Sequence, residues 1–574
     1  MRLQIVKSKN AQSFYVVKST YINKKRSNKV VEKLGTLEDL KLRAGNSDPI
    51  QWAKDYVAKL TEEEKNGTRK ILIKYDPLKT IEKNHLNNFN CGYLFLEKIY
   101  NLLGLQNICK EISKKYKFEY DLNSILSRLI FSRILFPSSK LGTYEISKRF
   151  LEPSNFELHE IYRALQIINK ENEFIQKEVY KNSTKVFKRN TNILYYDCTN
   201  YFFEIEQEYG LKQYGPSKEH RPNPIIQMGL FMDADGIPLA FDITAGNKNE
   251  QITLKPIEQR IINDFNFSKF IICTDAGLAS NANRKFNNVS DKSFITTQSI
   301  KKLKKYLKDW ALEKNDWKLF GDSKTYDISK LNDNEESYNY YYDKTFYKER
   351  WINENDIEQK LIITFSLKYQ DYQRKIRNSQ IERAKKMIEN NSMKIDKCNP
   401  NDCKRFIKKT AITKDGEIAE NKKYSLNLTA IEKEEQFDGF YGVCTNLDDS
   451  PENIIKINQR RWEIEECFRI LKTEFKARPV YLQRDDRIIA HFITCFLALI
   501  VLRLLEKELN EEYTIHEIID CLRNMDLLKN AENGYIPAYT RTDLTDKLHE
   551  KFGFRTDYEI LNKKTIKNIF KKIK

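Results

Sequence analysis

Acidic residues at the predicted ends and centres of strands suggest a metal-dependent site. Asp197 lies midway along an apolar strand pattern at 193–203, and Asp275 ends a short apolar strand pattern at 269–274. If these strands are parallel neighbours, the two carboxylates converge and raise each other's pKa. A divalent cation between them would remove that cost. Oxygen ligands with few His or Cys residues nearby favour Mg²⁺ or Mn²⁺.

A third carboxylate is expected from the helical pattern of residues 452–476. At 100° per residue, its apolar stripe adjoins a second stripe that carries Arg461, Glu465 and Lys472. An acid between two cations on one helix face suits a metal ligand flanked by phosphate-binding groups. On periodicity alone, an ordinary salt-bridged amphipathic helix explains these residues at least as well.

The elements that would position these acids follow one another along the chain. Three strand patterns between 193 and 243, a helix, a strand, a second helix and another strand predict a mixed α/β sheet domain. Residues 301–435 are basic and rich in tyrosine, and they look like an insertion into that domain. A strand pattern at 440–445 and the 452–476 helix then complete it.

The composition indicates a folded, basic protein with several domains. The chain has 574 residues and a net charge of +18, from 99 Lys and Arg against 81 Asp and Glu. Aromatic residues make up 12%, too many for a disordered basic tail, so a polyanion is the expected partner. An AT-rich genome that inflates Lys, Asn, Ile and Tyr would give a similar composition.

Cysteine usage and hydropathy favour an intracellular location. Ten cysteines without a CxxC pair argue against a zinc site and fit a reducing cytoplasm. The N-terminus has no signal-peptide core. The apolar stretch 488–502 has 15 residues, fewer than the ~20 that a membrane span needs, so a buried helix and no membrane partner are expected.

Six motifs occur in a fixed order along the chain. They are DCTN, GLKQYGPSKEHRPNPIIQMGL, DGIPLAFDITAGNKNE, FIICTDAGLAS, FITTQS and RRWEIEECFRILK. VVEKLGTLEDL and FPSSK precede them, and TRTDLTDKLHEKFGFRTDYEI follows them near the C-terminus. The ordered set resembles the DDE transposases of bacterial insertion sequences, in the insertion-sequence-four-like group, over nearly the whole chain.

This resemblance implies a ribonuclease-H-like mixed-sheet core, interrupted by a β-rich insertion, with a helical N-terminal DNA-binding region and a helical C-terminal region. The implied catalytic and metal-binding triad is Asp197, Asp275 and Glu465. The family signature around the glutamate is Tyr, two residues, Arg, three residues, Glu, six residues and Lys. Arg461 and Lys472 match this spacing as DNA-binding cations, but Asn458 stands at the tyrosine position.

The chain therefore divides into six predicted regions. In order, they are a β-hairpin and linker region, a helical region, the first part of the core, an insertion subdomain, the second part of the core and a helical C-terminal region, at 1–85, 86–190, 191–300, 301–435, 436–510 and 511–574. The helices of the second region are basic and suit either the binding of DNA ends or a plain helical bundle.

Three further residues are candidate DNA contacts. His220 can contact DNA or water near the metals, or it can form a structural hydrogen bond in its loop. Arg221 is the better phosphate contact on charge. Trp351 lies in the insertion, where an aromatic residue of related proteins stacks on a base flipped from the DNA end. The alternatives are an aromatic sheet core and a stacking role for Trp310 or Trp317.

Together these expectations describe a transposase that acts on double-stranded DNA at the terminal inverted repeats of its own element. Two Mg²⁺ ions, with Mn²⁺ as a substitute, would support strand cleavage followed by strand transfer. Joining two ends implies a dimer on DNA, and the location would be cytoplasmic and nucleoid-associated. The alternatives are a metal-dependent nuclease without strand transfer and a non-catalytic DNA-binding regulator.

Overall fold

The computed structural model describes most of the chain, namely residues 1–8, 12–22, 25–66, 78, 80–265, 267, 269–289, 291–390, 402–412, 421–478, 480–530 and 534–574. The chain divides into two compact units. The first contains residues 1–98, 149–152 and 520–574, and the second contains residues 99–148 and 153–519.

The first unit begins with a three-stranded antiparallel sheet of β1 (Arg2–Lys7), β2 (Gln12–Ile22) and β3 (Lys25–Thr36). Helices α1 (Leu37–Ala44) and α2 (Pro49–Asn66) follow it. A capping box starts α1, because the Thr36 hydroxyl accepts from the Asp39 N–H and the Asp39 carboxylate accepts from the Thr36 N–H. The buried core of this region contains Phe14, Val16, Leu34, Leu40, Ala53, Val57 and Leu60.

A short strand and a series of helices come next. They are β4 (Asn88–Asn90), α3 (Tyr93–Leu102), α4 (Leu105–Lys115), α5 (Leu122–Leu135), α6 (Lys140–Ser147), α7 (Leu158–Lys170) and α8 (Asn172–Val186). Asp121 caps α5 by accepting a hydrogen bond from the Ser124 N–H at 3.0 Å. The helix ends two residues before Pro137, whose ring cannot continue a helix.

The second unit is built on one ten-stranded mixed sheet. Its first strands are β5 (Ile193–Phe202), β6 (Ile225–Asp233), β7 (Pro238–Ala245), β8 (Phe270–Thr274) and β9 (Lys292–Gln298). Helix α9 (Leu254–Phe265) precedes β8, and α10 (Asn281–Phe286) precedes β9. The order in the sheet is β7-β6-β5-β8-β9, with β8 parallel to both β5 and β9. The two acid-bearing strands β5 and β8 are therefore parallel neighbours, which is the condition that the sequence argument set for their acids to converge.

Much of the predicted insertion extends this sheet. Its elements are α11 (Lys305–Leu312), β10 (Trp317–Leu319), β11 (Thr325–Tyr326), α12 (Glu335–Tyr341), β12 (Phe346–Glu354), β13 (Ile357–Phe365), α13 (Leu367–Glu389), β14 (Ile407–Ile412), β15 (Asn421–Leu426) and α14 (Leu428–Glu435).

Strand β16 (Phe440–Thr445) joins β13 to β9, which gives the full order β11-β10-β12-β13-β16-β9-β8-β5-β6-β7. The insertion was expected to pack as a subdomain of its own. Its strands β10 to β13 instead continue the core sheet, because β13 and β16 pair antiparallel over six residues. Among the described residues of the insertion, β14 and β15 form a hairpin separate from this sheet.

The helix predicted at 452–476 is divided into segments. They are α15 (Pro451–Gln459), α16 (Trp462–Arg469) and a π-helical turn (Ile470–Glu474). The break lies at Arg460 and Arg461, where the Arg461 N–H bonds to the Asn458 carbonyl in a tighter turn than that of an α-helix. The predicted apolar stripe is buried as expected, at Ile464, Phe468, Leu471 and Phe475.

Helix α17 (Asp485–Glu508) forms the centre of the helical part of the second unit, where it packs against α5 and α7. Every residue from 490 to 505 is buried. By length and composition it is the one helix of the described residues that could span a membrane, and its most apolar stretch is 94% buried within the fold. The prediction of a buried helix at 488–502 is confirmed.

The C-terminal region, predicted as helical at 511–574, contains strands as well as helices. Its elements are α18 (Ile515–Asn524), β17 (Asp526–Asn530), β18 (Gly534–Pro537), α19 (Asp543–Phe552) and α20 (Lys563–Ile573). Strand β17 lies between β18 and β4 in a small sheet of the first unit. These strands are too short to leave a clear period-two pattern in the sequence.

Candidate active site

Two acids project from neighbouring strands of the large sheet. Asp197 lies in the middle of β5, and Asp275 is the first residue after β8. In the parallel pairing of these strands Tyr195 is opposite Cys273. The same register, continued by two residues, places Asp197 opposite Asp275 on one face of the sheet.

The surroundings of Asp197 disfavour its charged form. Burial raises the pKa of Asp197 to about 6, the positive charge of Lys218 lowers it, and the Asp275 carboxylate raises it. Within the described residues each acid accepts one backbone hydrogen bond, at 2.7 Å from the Cys198 N–H to Asp197 and at 3.0 Å from the Leu278 N–H to Asp275. The structure therefore places two carboxylates close together, and their oxygen atoms can accept further ligands.

Helix α16 packs against β5 and carries Glu465, the residue predicted as the third acid. Arg461, at the start of this helix, donates from Nη1 to the Thr297 hydroxyl at 3.3 Å, and its charge lowers the pKa of Asp197. Glu465 follows Arg461 by one helical turn, so the two side chains share a face. Within the described ranges, no hydrogen bond or ion pair engages the exposed carboxylate of Glu465.

The other acids of α16 are already engaged. Glu463 is buried and lies 3.4 Å from Arg503, and Glu466 accepts a hydrogen bond from Arg469 at 2.8 Å. Glu465 is therefore the acid of this helix that has oxygens to offer. An all-oxygen donor set from two aspartates and this glutamate fits a hard divalent cation such as Mg²⁺ or Mn²⁺.

A lysine that the sequence argument did not single out lies beside the acids. Lys218 donates from Nζ to the Cys198 carbonyl and lies 3.5 Å from Glu250. Burial lowers the pKa of Lys218, but the charges of Asp197 and Glu250 outweigh burial and raise it overall. The motif GLKQYGPSKEHRPNPIIQMGL contained this residue, but nothing in its spacing pointed to Asp197.

The predicted cation Lys472 lies in the π-helical turn, near Lys218 and Asp197. Burial lowers the pKa of Lys472 to about 8, the charge of Lys218 lowers it further, and Asp197 opposes this. Arg461 and Lys472 are thus both brought within electrostatic range of Asp197. The sequence predicted the spacing of Arg461 and Lys472 from Glu465. The structure adds that both cations lie near Asp197 in strand β5.

A further acid, Glu219, lies among three cations. Glu219 contacts Arg478 directly and lies 3.6 Å from Lys472 and 4.0 Å from Arg221. The Arg221 guanidinium lies 4.2 Å from the centre of the Phe202 ring. Arg478 and Glu219 were not recognised in the sequence, because their partners are distant along the chain.

His220 lies between Glu219 and Arg221 in the same loop. It has a left-handed backbone conformation with φ of 55°, and its N–H donates to the Ser217 carbonyl at 3.0 Å. Its side chain is exposed, and in the described part of the chain no hydrogen bond or ion pair joins its imidazole to another residue. The structure therefore places His220 in a turn near the cations without pairing its ring with the acids.

Trp351 lies on the same sheet face as the acids but far across the sheet. Its strand, β12, is separated from β5 by four strands, which at ~4.8 Å per strand step gives about 24 Å. A continuous register row runs from Trp351 through Lys360, Thr445, Ile295 and Cys273 to Tyr195. The residue is 44% exposed, which excludes a sheet-core position, and the Lys360 ammonium lies 5.4 Å from the centre of its ring. Trp317, in contrast, is fully buried.

Asn458, at the tyrosine position of the family signature, is buried in a hydrogen-bonded network. Its amide donates to the Tyr441 hydroxyl at 2.8 Å, and that hydroxyl lies 2.8 Å from the Thr297 hydroxyl. Thr297 in turn accepts from Arg461. A tyrosine hydroxyl thus reaches this place from β16, and it links α15 to the arginine of the site.

A separate group of acids and histidine lies in the first unit, within the C-terminal motif. Ligand atoms of Asp546, His549 and Asp557 lie within 4.8 Å of one another. However, Arg555 is 2.6 Å from both carboxylates, and the Thr556 N–H donates to His549 Nε2. Burial lowers the pKa of His549 to about 4. The arginine thus engages both carboxylates, and among the described residues His549 Nδ1 has no hydrogen-bond donor or acceptor and lies 3.6 Å from Asp557.

Comparison with known proteins identifies the family of the chain. The family model described as the transposase DDE domain matches residues 202–501, which include Asp275 and Glu465 and begin five residues after Asp197. No curated protein matches the chain.

Among solved structures, a piggyBac transposase in a cryo-EM synaptic complex with hairpin DNA is similar, with 8% identity, 84% coverage of each chain and a TM-score of 0.36. This likeness is too weak to support a detailed comparison. The family match spans more than half of the residues, however, and the chain belongs to the transposase DDE domain family and is a DDE-type transposase.

Proposed function

We propose that this transposase cleaves DNA at the ends of a bacterial insertion sequence of the insertion-sequence-four-like group and transfers the freed strands. The observation that carries the proposal is the convergence of Asp197 and Asp275 from parallel neighbouring strands beside the Glu465 helix. The order β7-β6-β5-β8-β9, with an antiparallel meander followed by two parallel strands, supports a ribonuclease-H-like core. The ordered sequence motifs support the group.

DDE transposase domains depend on divalent metal ions, and the donor set here fits two Mg²⁺ ions, with Mn²⁺ as a substitute. The residues that would hold them are Asp197, Asp275 and Glu465. Bound there, the ions would activate the attacking oxygen and stabilise the leaving oxygen of the phosphodiester. A cation would also offset the unfavourable burial of the Asp197 charge and favour loss of its proton near neutral pH.

The cations around the acids suit the binding of a phosphodiester in line with an attacking oxygen. Arg461 is held by Thr297, and Lys472 and Lys218 lie within electrostatic range of Asp197. Fixed positive groups in a half-buried site position the phosphate and balance charge that develops during its substitution.

In the first step water would break a phosphodiester to leave a 3′-hydroxyl and a 5′-phosphate. In the second, that 3′-hydroxyl would attack another phosphodiester and release its 3′-oxygen.

The rest of the chain suits the handling of two DNA ends. The basic helices between 86 and 190 are the proposed binding region for terminal inverted repeats, and a dimer would bring two ends together. Trp351 is about 24 Å from Asp197, so it would contact a base several nucleotides from the cleaved bond. His220 and Arg221 would contact the sugar–phosphate backbone of the DNA nearer to the acids. A cytoplasmic, nucleoid-associated location follows from this role.

The test uses plasmid DNA that carries the gene with its native flanking sequences. We expect Asp197→Asn, Asp275→Asn and Glu465→Gln each to abolish Mg²⁺-dependent cleavage and to retain binding of the flanking DNA. Loss of an outer partner of a metal ligand already costs about 10–100-fold, so loss of a ligand should cost more than about 100-fold. Glu466→Gln is the matched control, because it removes the same charge one residue away on the same helix.

The outcomes separate the proposal from its alternatives. Normal cleavage by any one of the three variants would remove that residue from the triad. Cleavage without joined products in the wild-type protein would indicate a nuclease. Binding without any cleavage, in Mg²⁺ or Mn²⁺, would indicate a regulator that retains the fold but not the activity.

A further inference from the structure

The carboxylate of Glu219 gathers three cations that come from separate parts of the second unit. Arg221 belongs to the loop between β5 and β6, Lys472 belongs to the π-helical turn, and Arg478 lies between that turn and α17. Arg478 contacts Oε2, Lys472 is 3.6 Å from Oε1, and Arg221 is 4.0 Å from Oε2. With one acid to three cations, the cluster keeps an excess of positive charge.

The cluster is partly sheltered from water. The side chains of Lys472, Glu219 and Arg478 are only 15%, 21% and 26% exposed. The guanidinium groups of Arg221 and Arg478 lie 4.2 and 5.8 Å from the centre of the Phe202 ring, which supports both of them. Cations fixed in this way need an anion between them, and they are arranged before any ligand arrives.

Glu219 is the anion between these cations, but its own hydrogen bonding is incomplete. Its Oε1 is buried and has no hydrogen-bond donor among the described residues, which is unfavourable for a carboxylate. The residue is carried on a turn closed by the Ser217 hydroxyl, which lies 3.3 Å from the backbone nitrogens of both Glu219 and Arg221. The next residue, His220, has the left-handed conformation described above. A rearrangement of this turn would move the carboxylate without disturbing the sheet.

We infer that Glu219 occupies the place of a phosphodiester group of the DNA substrate, and that DNA displaces it from Arg221, Lys472 and Arg478. A phosphodiester presents two oxygens as a carboxylate does, and arginine binds either of them through paired N–H groups. The inference rests on the proposed function, because it takes DNA as the ligand. Until a polyanion competes for these cations, Glu219 keeps this phosphate site beside the acids closed.

The test measures binding of a fluorescein-labelled duplex of arbitrary sequence and about 40 base pairs, by anisotropy in EDTA at about 0.1 M salt. We expect Glu219→Gln to bind the duplex about fivefold or more tightly than the wild type, since the competing charge is gone. Arg478→Ala should bind it more weakly. Glu206→Gln is the matched control, because Glu206 is exposed in the same loop; its affinity should change by less than about twofold.

The effect must also depend on the cations. In the Arg478→Ala background, Glu219→Gln should improve binding by less than about twofold, and Glu219→Ala should repeat the result of Glu219→Gln in the wild-type background. Thermal unfolding of each variant verifies that it is folded. Unchanged affinity of both Glu219 variants, or equal tightening by Glu206→Gln, would overturn the inference.

This experiment contains no metal and no cleavage, so its failure is distinct from failure of the proposed function. Tighter binding by Glu219→Gln in a protein that never cleaves would support the phosphate site and contradict the catalytic proposal. Triad-dependent cleavage with unchanged binding by the Glu219 variants would support the catalytic proposal and contradict the phosphate site.

Discussion

Replacing Asp197 with asparagine should stabilise the metal-free protein while abolishing cleavage. Burial raises the pKa of this carboxyl from 3.8 to about 6, so the fold disfavours its charged form. At about 1.36 kcal/mol per pKa unit, the charge costs about 3 kcal/mol of folding free energy above pH 6. Asparagine keeps the shape and the acceptor for the Cys198 N–H but carries no charge.

The pH dependence follows from the sign of this shift. A carboxyl with a raised pKa binds its proton more tightly in the folded state, so its contribution to stability falls as the pH rises from below 3.8 to above 6. The advantage of Asp197→Asn should therefore be about 3 kcal/mol at pH 7.5, about 1.6 kcal/mol at pH 5, and only about 0.1 kcal/mol at pH 3.

Urea unfolding of both proteins in EDTA, at several pH values, gives these differences directly. Addition of Mg²⁺ should then stabilise the wild type and have less effect on the variant, because the ion binds the charged carboxylate. A variant that is no more stable than the wild type at pH 7.5, or a difference that does not vary with pH, would refute the assigned burial cost.

Three further outcomes are expected. Arg503→Met should lower the free energy of unfolding by about 3–5 kcal/mol, because it removes a buried guanidinium that lies 2.6 Å from Glu506 and 3.4 Å from Glu463, and Glu463 then keeps Arg460 as its partner; urea unfolding measures this, and adding Glu463→Gln should recover part of the loss. Tyr441→Phe should slow cleavage about tenfold with little change in DNA binding, since it frees Thr297 and hence Arg461; equal losses in both assays would contradict a positioning role. Trp351→Ala should slow a step after first-strand nicking and spare the nick, as followed on labelled DNA; a slower nick would place its contact at the acids.

The sequence predicted the elements of the core well, because they depend on local patterns. The strands around Asp197 and Asp275 were recognised within about two residues, since each is an apolar run bounded by turn signals. The acid-bearing helix was also recognised, although its break at Arg461 was not. That break depends on a change in backbone hydrogen bonding that no side-chain period records.

Long-range pairings could not be predicted in the same way. The joining of β13 to β16 depends on two strands that are separated by more than seventy residues, so the insertion appeared to be independent of the core. Ion pairs such as those of Glu219 with Arg478 and Lys472 are likewise set by the meeting of distant segments. Charge and spacing identified the candidate cations, but not the acid that holds them.

Because the insertion extends the core sheet, the sheet sets the distance between Trp351 in the insertion and Asp197 in the core. Hydrogen bonds continue without interruption from β12 to β5, so the separation between Trp351 and Asp197 cannot change without breaking a strand pair. About 24 Å corresponds to about seven nucleotide steps of 3.4 Å along one strand of DNA. A proposed substrate that contacts both residues would therefore span about seven nucleotides, and any adjustment of that span would have to come from the DNA rather than from the paired strands.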